Sequence, residues 1–225
     1  MLAAIAAAVY IVRKYCFPTS LFWSELKKDC STLPVTIFVN ITICDKFICL
    51  FKPIRRPCPN QNCPLDHFPF HIRSGAATAI GPKICFNGQV VMGGTKSNMG
   101  RGLNIVVIEG ETGKVLKYDY FNMYSGNPKE LLNFLKTIVP GNIVLIASFD
   151  DPATKLTDEI RDIFEGFGSS MIKSLKFRDS WVFAGAPGLE EKSPFEKRIP
   201  NDSKTNVYGQ WPELVEMDGC FPRKI

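Results

Sequence analysis

Seven of the eight cysteines, Cys16, Cys30, Cys44, Cys49, Cys58, Cys63 and Cys85, lie in the first 85 residues, and the eighth, Cys220, stands close to the C-terminus. A lone late cysteine reads as a covalent staple back to the early part of the chain. Closing so long a loop stabilises a fold by about 4 to 5 kcal/mol on the chain-entropy view. Such bonds persist in an oxidising compartment, so the cysteines point to secretion. Two N-x-S/T acceptors, at Asn40 and Asn201, lean the same way.

With 225 residues, 45% apolar and 12% aromatic, the chain suits one sizeable core plus a tail. The net charge of +5 is spread through interleaved Lys, Arg, Asp and Glu. Phosphate neutralisation needs a concentrated basic patch, so no nucleic-acid partner is expected. Met1 to Val12 is apolar but lacks a basic n-region. It is too short to span a bilayer, which takes about 20 residues. It has the length of a signal h-region, with Ala6-Ala7-Ala8 as a small-residue cleavage context. Residues 1–52 are therefore expected to be an atypical leader and linker, either a cleaved signal or a short anchor. The proline-rich, basic run from Pro53 marks the entry to a folded domain over 53–225.

Inside that domain, Phe68 to Arg73 alternates like a strand, and Asn87-Gly88 between apolar runs signals a hairpin across Lys83 to Met92. Leu103 to Ile108 reads as a buried strand, turned by Glu111-Thr112-Gly113 into Val115 to Phe121. Asn127, Pro128 and Glu130 form a helix start, followed by Leu131, Phe134, Leu135 and Ile138 on one face. A second helix begins near Thr157, with Ile160, Ile163, Phe164 and Phe167 as its apolar stripe and Gly168 as its end. Ile143 to Phe149 and Ser180 to Ala186 are two more buried strands. Strands outnumber helices and mix with them irregularly, which predicts an α+β fold.

The spacing Cys58-x4-Cys63-x3-His67-x3-His71 offers zinc's preferred ligand types, but three residues between the pairs leave the chain no room to fold back. Strand histidines beside disulfide cysteines are the better reading, and no metal or cofactor is expected. Asp150-Asp151 follows a buried strand, where it forms either a carboxylate pair or the turn into the next helix. The glycines of Met99 to Asn104 lack the third glycine and the following helix of a dinucleotide loop. No G-x-S-x-G elbow or triad is visible, so the protein is not expected to be an enzyme.

The words Ser74-Gly75-Ala76-Ala77, Gly81-Pro82-Lys83-Ile84-Cys85, Asn98-Met99-Gly100-Arg101-Gly102-Leu103-Asn104, Phe149-Asp150-Asp151-Pro152-Ala153-Thr154-Lys155, Phe177-Arg178-Asp179-Ser180-Trp181-Val182-Phe183 and Trp211-Pro212-Glu213 occur in order over Cys58 to Cys220. In these words the chain resembles the family with sequence similarity 3, a family of cytokine-like proteins. Within it, Leu103-Asn104-Ile105 and Ser193-Pro194-Phe195-Glu196 look nearest to member D. The resemblance implies a disulfide-stapled β-β-α domain, with two antiparallel sheets lined by short helices around a polar cavity. It implies the pairs Cys58 with Cys85 and Cys63 with Cys220, where four cysteines alone allow three pairings. Ala184 stands where some relatives carry another cysteine, so a covalent dimer through that position is not available and a monomer is expected. Residues 1 to about 50 look unlike the family's usual leader, and Cys16, Cys30, Cys44 and Cys49 have no implied partners.

Function then divides in two. A secreted, signalling ligand would bind a cell-surface receptor through loops and aromatic residues. A carbohydrate-binding module would instead stack sugars on Trp181 or Trp211 and bond them through nearby polar groups. The candidate ligand-binding set is Asn98, Arg101, Asn104, Asp150, Asp151, Arg178, Asp179, Trp181 and Trp211. The plainer expectation buries both tryptophans in the core and pairs Arg178 with Asp179 as a structural ion pair.

Overall fold

The computed structural model describes residues 58–59 and 62–223. The leader, Asn40, Cys16, Cys30, Cys44 and Cys49 lie outside the described residues. The strands are β1 (His67–Arg73), β2 (Lys83–Phe86), β3 (Gln89–Gly93), β4 (Gly102–Glu109), β5 (Val115–Phe121), β6 (Asn142–Phe149), β7 (Ser180–Gly185), β8 (Glu196–Ile199) and β9 (Glu216–Pro222). Helix α1 (Pro128–Lys136) follows β5, and α2 (Asp158–Gly166) follows β6. One sheet has the order β3-β2-β1-β9 and the other β5-β4-β6-β7-β8, and the strand pairs are antiparallel.

Side-chain parity builds three layers from these strands. Phe68, Phe70 and Ile72 of β1 face Val106 and Ile108 of β4, Leu145 and Ala147 of β6 and Val182 of β7 across the gap between the sheets. Leu103, Ile105, Val144, Ile146, Trp181 and Phe183 leave the opposite face of the five-stranded sheet and pack under Leu131 and Leu135 of α1 and Ile160 and Phe164 of α2. Because that sheet is covered on both faces, all eight residues of β6 are buried. The run Ile143 to Phe149 is apolar for this reason, with only Ser148 as an interruption. The layer between the sheets is filled by aliphatic and aromatic side chains, so the polar cavity implied by the resemblance is not what separates them.

Local chemistry agrees with the predicted elements. Asn87 and Gly88 both take positive φ, 49° and 75°, as the tight turn between β2 and β3 requires. Asn127 caps α1 by accepting from Lys129 N at 3.1 Å, with Pro128 in the first turn. Glu130 occupies the first turn, but among the described residues its side chain makes no return bond to Asn127 to complete a capping box. Thr157 caps α2 by accepting from Ile160 N at 3.3 Å. Replacing Thr157 with alanine is expected to cost about 1 kcal/mol, a fall of roughly 2–4 °C in unfolding midpoint by circular dichroism. An unchanged midpoint would show that α2 does not need this cap.

Both implied disulfides form, Cys58–Cys85 and Cys63–Cys220. Cys85 and Cys220 pair in register with His71 and Pro69 of β1, so both bridges sit on the outer face of the four-stranded sheet. His67 and His71 share that face by parity. His67 bonds Asp66 at 2.8 Å, and His71, only 5% exposed, bonds Asp218 at 2.9 Å. With their neighbouring cysteines in disulfides and each ring held by a carboxylate, these histidines are structural. Among the described residues no helix is long and apolar enough to cross a membrane.

Candidate binding surface

Five of the nine candidate residues turn inward and hold the scaffold. Asn98 accepts from Gly93 N and donates to Val91 O, each at 3.0 Å, and so closes the loop after β3. Asn104 is fully buried, accepting from Gly100 N at 2.9 Å and donating to Gly100 O at 2.7 Å. Asp151, 1% exposed, accepts from Ala153 N and Thr154 N at 3.0 and 3.3 Å, which makes the turn toward α2. Asp179, 3% exposed, accepts from Lys176 N at 2.9 Å and Asn201 N at 2.8 Å. Trp181 is fully buried beside Phe164 and stacked on Phe183.

The expected Arg178–Asp179 ion pair is not formed. Asp179 pairs instead with Arg198 at 3.6 Å. Adjacent residues diverge, and φ of 61° at Arg178 swings its guanidinium away from Asp179 and onto the rings of Trp211, at 4.1 Å, and Phe177, at 4.6 Å. The expectation that both tryptophans are core residues also fails for Trp211. Its ring is half-buried at the surface, and its Nε1 donates to Asp150 Oδ1 at 3.0 Å. Asp150, with φ of 64°, also holds Arg101 Nε at 3.7 Å through Oδ2.

Arg101, Asp150, Trp211 and Arg178 therefore form one linked series where β4 begins and β6 ends. Aromatic residues extend it on both sides. Tyr124 and Phe177, 58% and 40% exposed, meet with ring centroids 6.4 Å apart. At the other end Gly100, next to Arg101, lies so close against Tyr120 that an added Cβ would fall 2.1 Å from its ring. Gly102, with φ of 99°, has no room for a Cβ against the Phe121 carbonyl. The glycines of this word thus serve close packing and backbone geometry.

Beside Arg178 opens a groove of about 300 Å³, lined by Asn201, Ser203, Asn206, Gly209 and Gln210 as well. Gln210 accepts from Arg178 Nη1. Asn201, the sequon asparagine, donates from Nδ2 to Phe177 O at 3.2 Å and accepts from Asn206 at 2.8 Å.

One buried carboxylate was not singled out from sequence. Glu196, 8% exposed, accepts from Trp181 Nε1 at 2.9 Å, Ser170 N at 2.6 Å, Ser170 Oγ at 2.9 Å and Met171 N at 3.1 Å, and from Ser169 Oγ. A charge-flanked strand such as Glu196-Lys197-Arg198 reads as solvated surface, and the only signal against that was its place in a family word.

A sandwich of two antiparallel sheets with helices on one side, two disulfides on the other and an arginine–aromatic ridge at its end defines a disulfide-stapled α+β domain. The family profile described as Interleukin-like EMT inducer matches residues 101–189. Protein FAM3C of Danio rerio is 51% identical over 174 residues, 77% of either chain. Protein FAM3D of Homo sapiens is 52% identical over 162 residues, 72% of either chain. Protein FAM3C of Homo sapiens is 43% identical over 221 residues, 98% of this chain and 95% of that protein. The chain belongs to the cytokine-like FAM3 family. Identity does not single out member D, and the human FAM3C alignment, at 98% of this chain, extends into the first fifty residues.

Proposed function

We propose that the protein is a secreted, monomeric cytokine-like ligand that binds a cell-surface receptor with the ridge running from Tyr124 through Phe177, Arg178 and Trp211 to Arg101. The observation that carries this reading is composition at one place. Exposed Tyr and Phe flank a Trp and two Arg residues whose side chains are already held by one another. Protein interfaces concentrate their binding energy in such residues, and ordering them in advance lowers the entropy lost on association. In this reading the folded domain begins near residue 53, residues 1–52 direct export, and Asn40 is a glycan acceptor.

The test is saturable binding of the purified protein to cultured cells. Tyr124→Ala is expected to weaken that binding at least tenfold, about 1.4 kcal/mol or more, with an unchanged unfolding midpoint. Equal binding by the variant would remove the ridge from the receptor interface. A second reading, a carbohydrate-binding module, draws on the groove and its amide lining. Trp211 offers it less than expected, because its ring carries Arg178 and its Nε1 is spent on Asp150. Binding to neutral glycans on an array, lost in Trp211→Ala without loss of stability, would favour that module over the ligand.

A further inference from the structure

We propose that Arg178 and its groove are a carboxylate site, taking the side chain of an aspartate or glutamate that projects from the protein receptor; this rests on the receptor-binding reading above. The guanidinium lies on two rings, is half-buried, and takes part in no ion pair among the described residues. Its Nε is buried without a hydrogen-bond partner there, and its Nη1 donates only to the neutral Gln210 amide. A cation drawn partly out of water gains most from an opposite charge, and a guanidinium presents a fork that matches a carboxylate.

The protein's own nearby carboxylates are engaged elsewhere. Asp150 holds Trp211 Nε1 and Arg101, while Asp179 holds Lys176 N, Asn201 N and Arg198. By contrast Arg198, of similar burial, has Asp179 as its counter-ion. The groove beside Arg178 is about 300 Å³ and is lined by Asn201, Ser203, Asn206, Gly209 and Gln210, which supply amide and hydroxyl groups but no carboxylate.

The backbone bears on the same place. Of the five non-glycine residues with left-handed φ among the described residues, Arg178 and Asp150 lie here, and Trp211 connects them directly. Strain of this kind persists where surrounding contacts over-determine it, and binding sites are where it gathers. One cation in the lining suits a single carboxylate, whereas a sulfated polysaccharide chain calls for several clustered cations. Tyr124 and Phe177, exposed alongside, supply the aromatic surround of a protein interface.

The experiment titrates the full secreted chain with tetraglutamate and with tetraglutamine peptide, reading the Arg178 Nε–Hε and Trp211 indole resonances by NMR. Tetraglutamate is expected to shift both saturably below about 10 mM, with weaker binding at higher salt, and tetraglutamine to shift neither. Arg178→Lys keeps the charge but loses the fork, and is expected to bind at least tenfold more weakly with the same unfolding midpoint. Equal response to the two peptides, undiminished affinity in Arg178→Lys, or a response to heparin oligosaccharide without one to tetraglutamate would overturn the site. If Arg178→Lys does not fold, the comparison of the two peptides on the unsubstituted protein decides alone. Cell binding separates the two readings. Unchanged cell binding by a folded Arg178→Lys sinks the carboxylate site and leaves the receptor reading standing. Absence of cell binding by the unsubstituted protein sinks the receptor reading, while the titration still decides whether the groove takes a carboxylate.

Discussion

Exchanging Cys63 and Cys220 together for serine lowers the unfolding midpoint by about 10 °C in non-reducing buffer. The bridge closes a loop with a sequence separation of 157. On the chain-entropy view a loop of that length contributes about 5 kcal/mol, and measured losses of native bridges run about 2–5 kcal/mol. A domain of this size loses roughly 2–4 °C per kcal/mol. Both cysteines are changed so that neither half of the broken bridge remains as a thiol to exchange with Cys58–Cys85. That second bridge has a separation of only 27, for which the same reasoning gives about 3.5 kcal/mol. Its removal should therefore be the milder of the two. A midpoint that stays within error after Cys63→Ser/Cys220→Ser would mean that β-sheet packing alone holds β9 against β1.

Glu196→Ala is expected to destabilise by about 3 kcal/mol, because it strips the partner at once from two buried donors, Trp181 Nε1 and Ser169 Oγ, and from two part-buried backbone N–H groups. Trp181 Nε1, Ser170 N and Met171 N all point at that one carboxylate, at 2.9, 2.6 and 3.1 Å. Trp181 lies in the layer between the five-stranded sheet and the helices, where an unmet N–H has no water to turn to. Glu196→Gln keeps one carbonyl oxygen and should fall between the two. Urea denaturation of the three proteins checks the order. A loss below about 0.5 kcal/mol in Glu196→Ala would indicate that water replaces the carboxylate without difficulty.

The fold was legible wherever local chemistry and burial agree. The hairpin at Asn87-Gly88 and both helix starts need only a few residues to specify them, and β4, β6 and β7 show themselves as apolar runs. β8 and β9 do not. Glu196–Ile199 is a sheet-edge strand whose alternate side chains meet water, and Glu216–Pro222 contains a glycine and a proline and becomes a strand by pairing along the whole of β1. Such strands exist because a partner is already in place, β7 for β8 and β1 for β9, and for β9 that partner lies 143 (Arg73 to Glu216) to 155 (His67 to Pro222) residues upstream, where it leaves no mark on the local pattern.

The candidate surface was legible by residue but not by role. Arg178 and Asp179 are neighbours in sequence, which invites pairing, yet one left-handed residue sends them to different partners. Trp181 and Trp211 are chemically identical, and only the tertiary fold assigns one to the core and the other to the surface. Asn104 and Asp151 resemble ligand-binding groups in sequence because buried polar side chains that tie loops use the same atoms a ligand would.

The Cys63–Cys220 bridge also decides how the molecule answers a mechanical load. Tension applied between its two ends enters near residue 63, crosses one sulfur–sulfur bond to residue 220 and leaves. Every strand from β1 to β8 and both helices lie within the closed loop, shielded from that pull. A domain wired in this way can be held at one end while it is tugged at the other, and the ridge of Arg178 and Trp211 inside the loop keeps its shape.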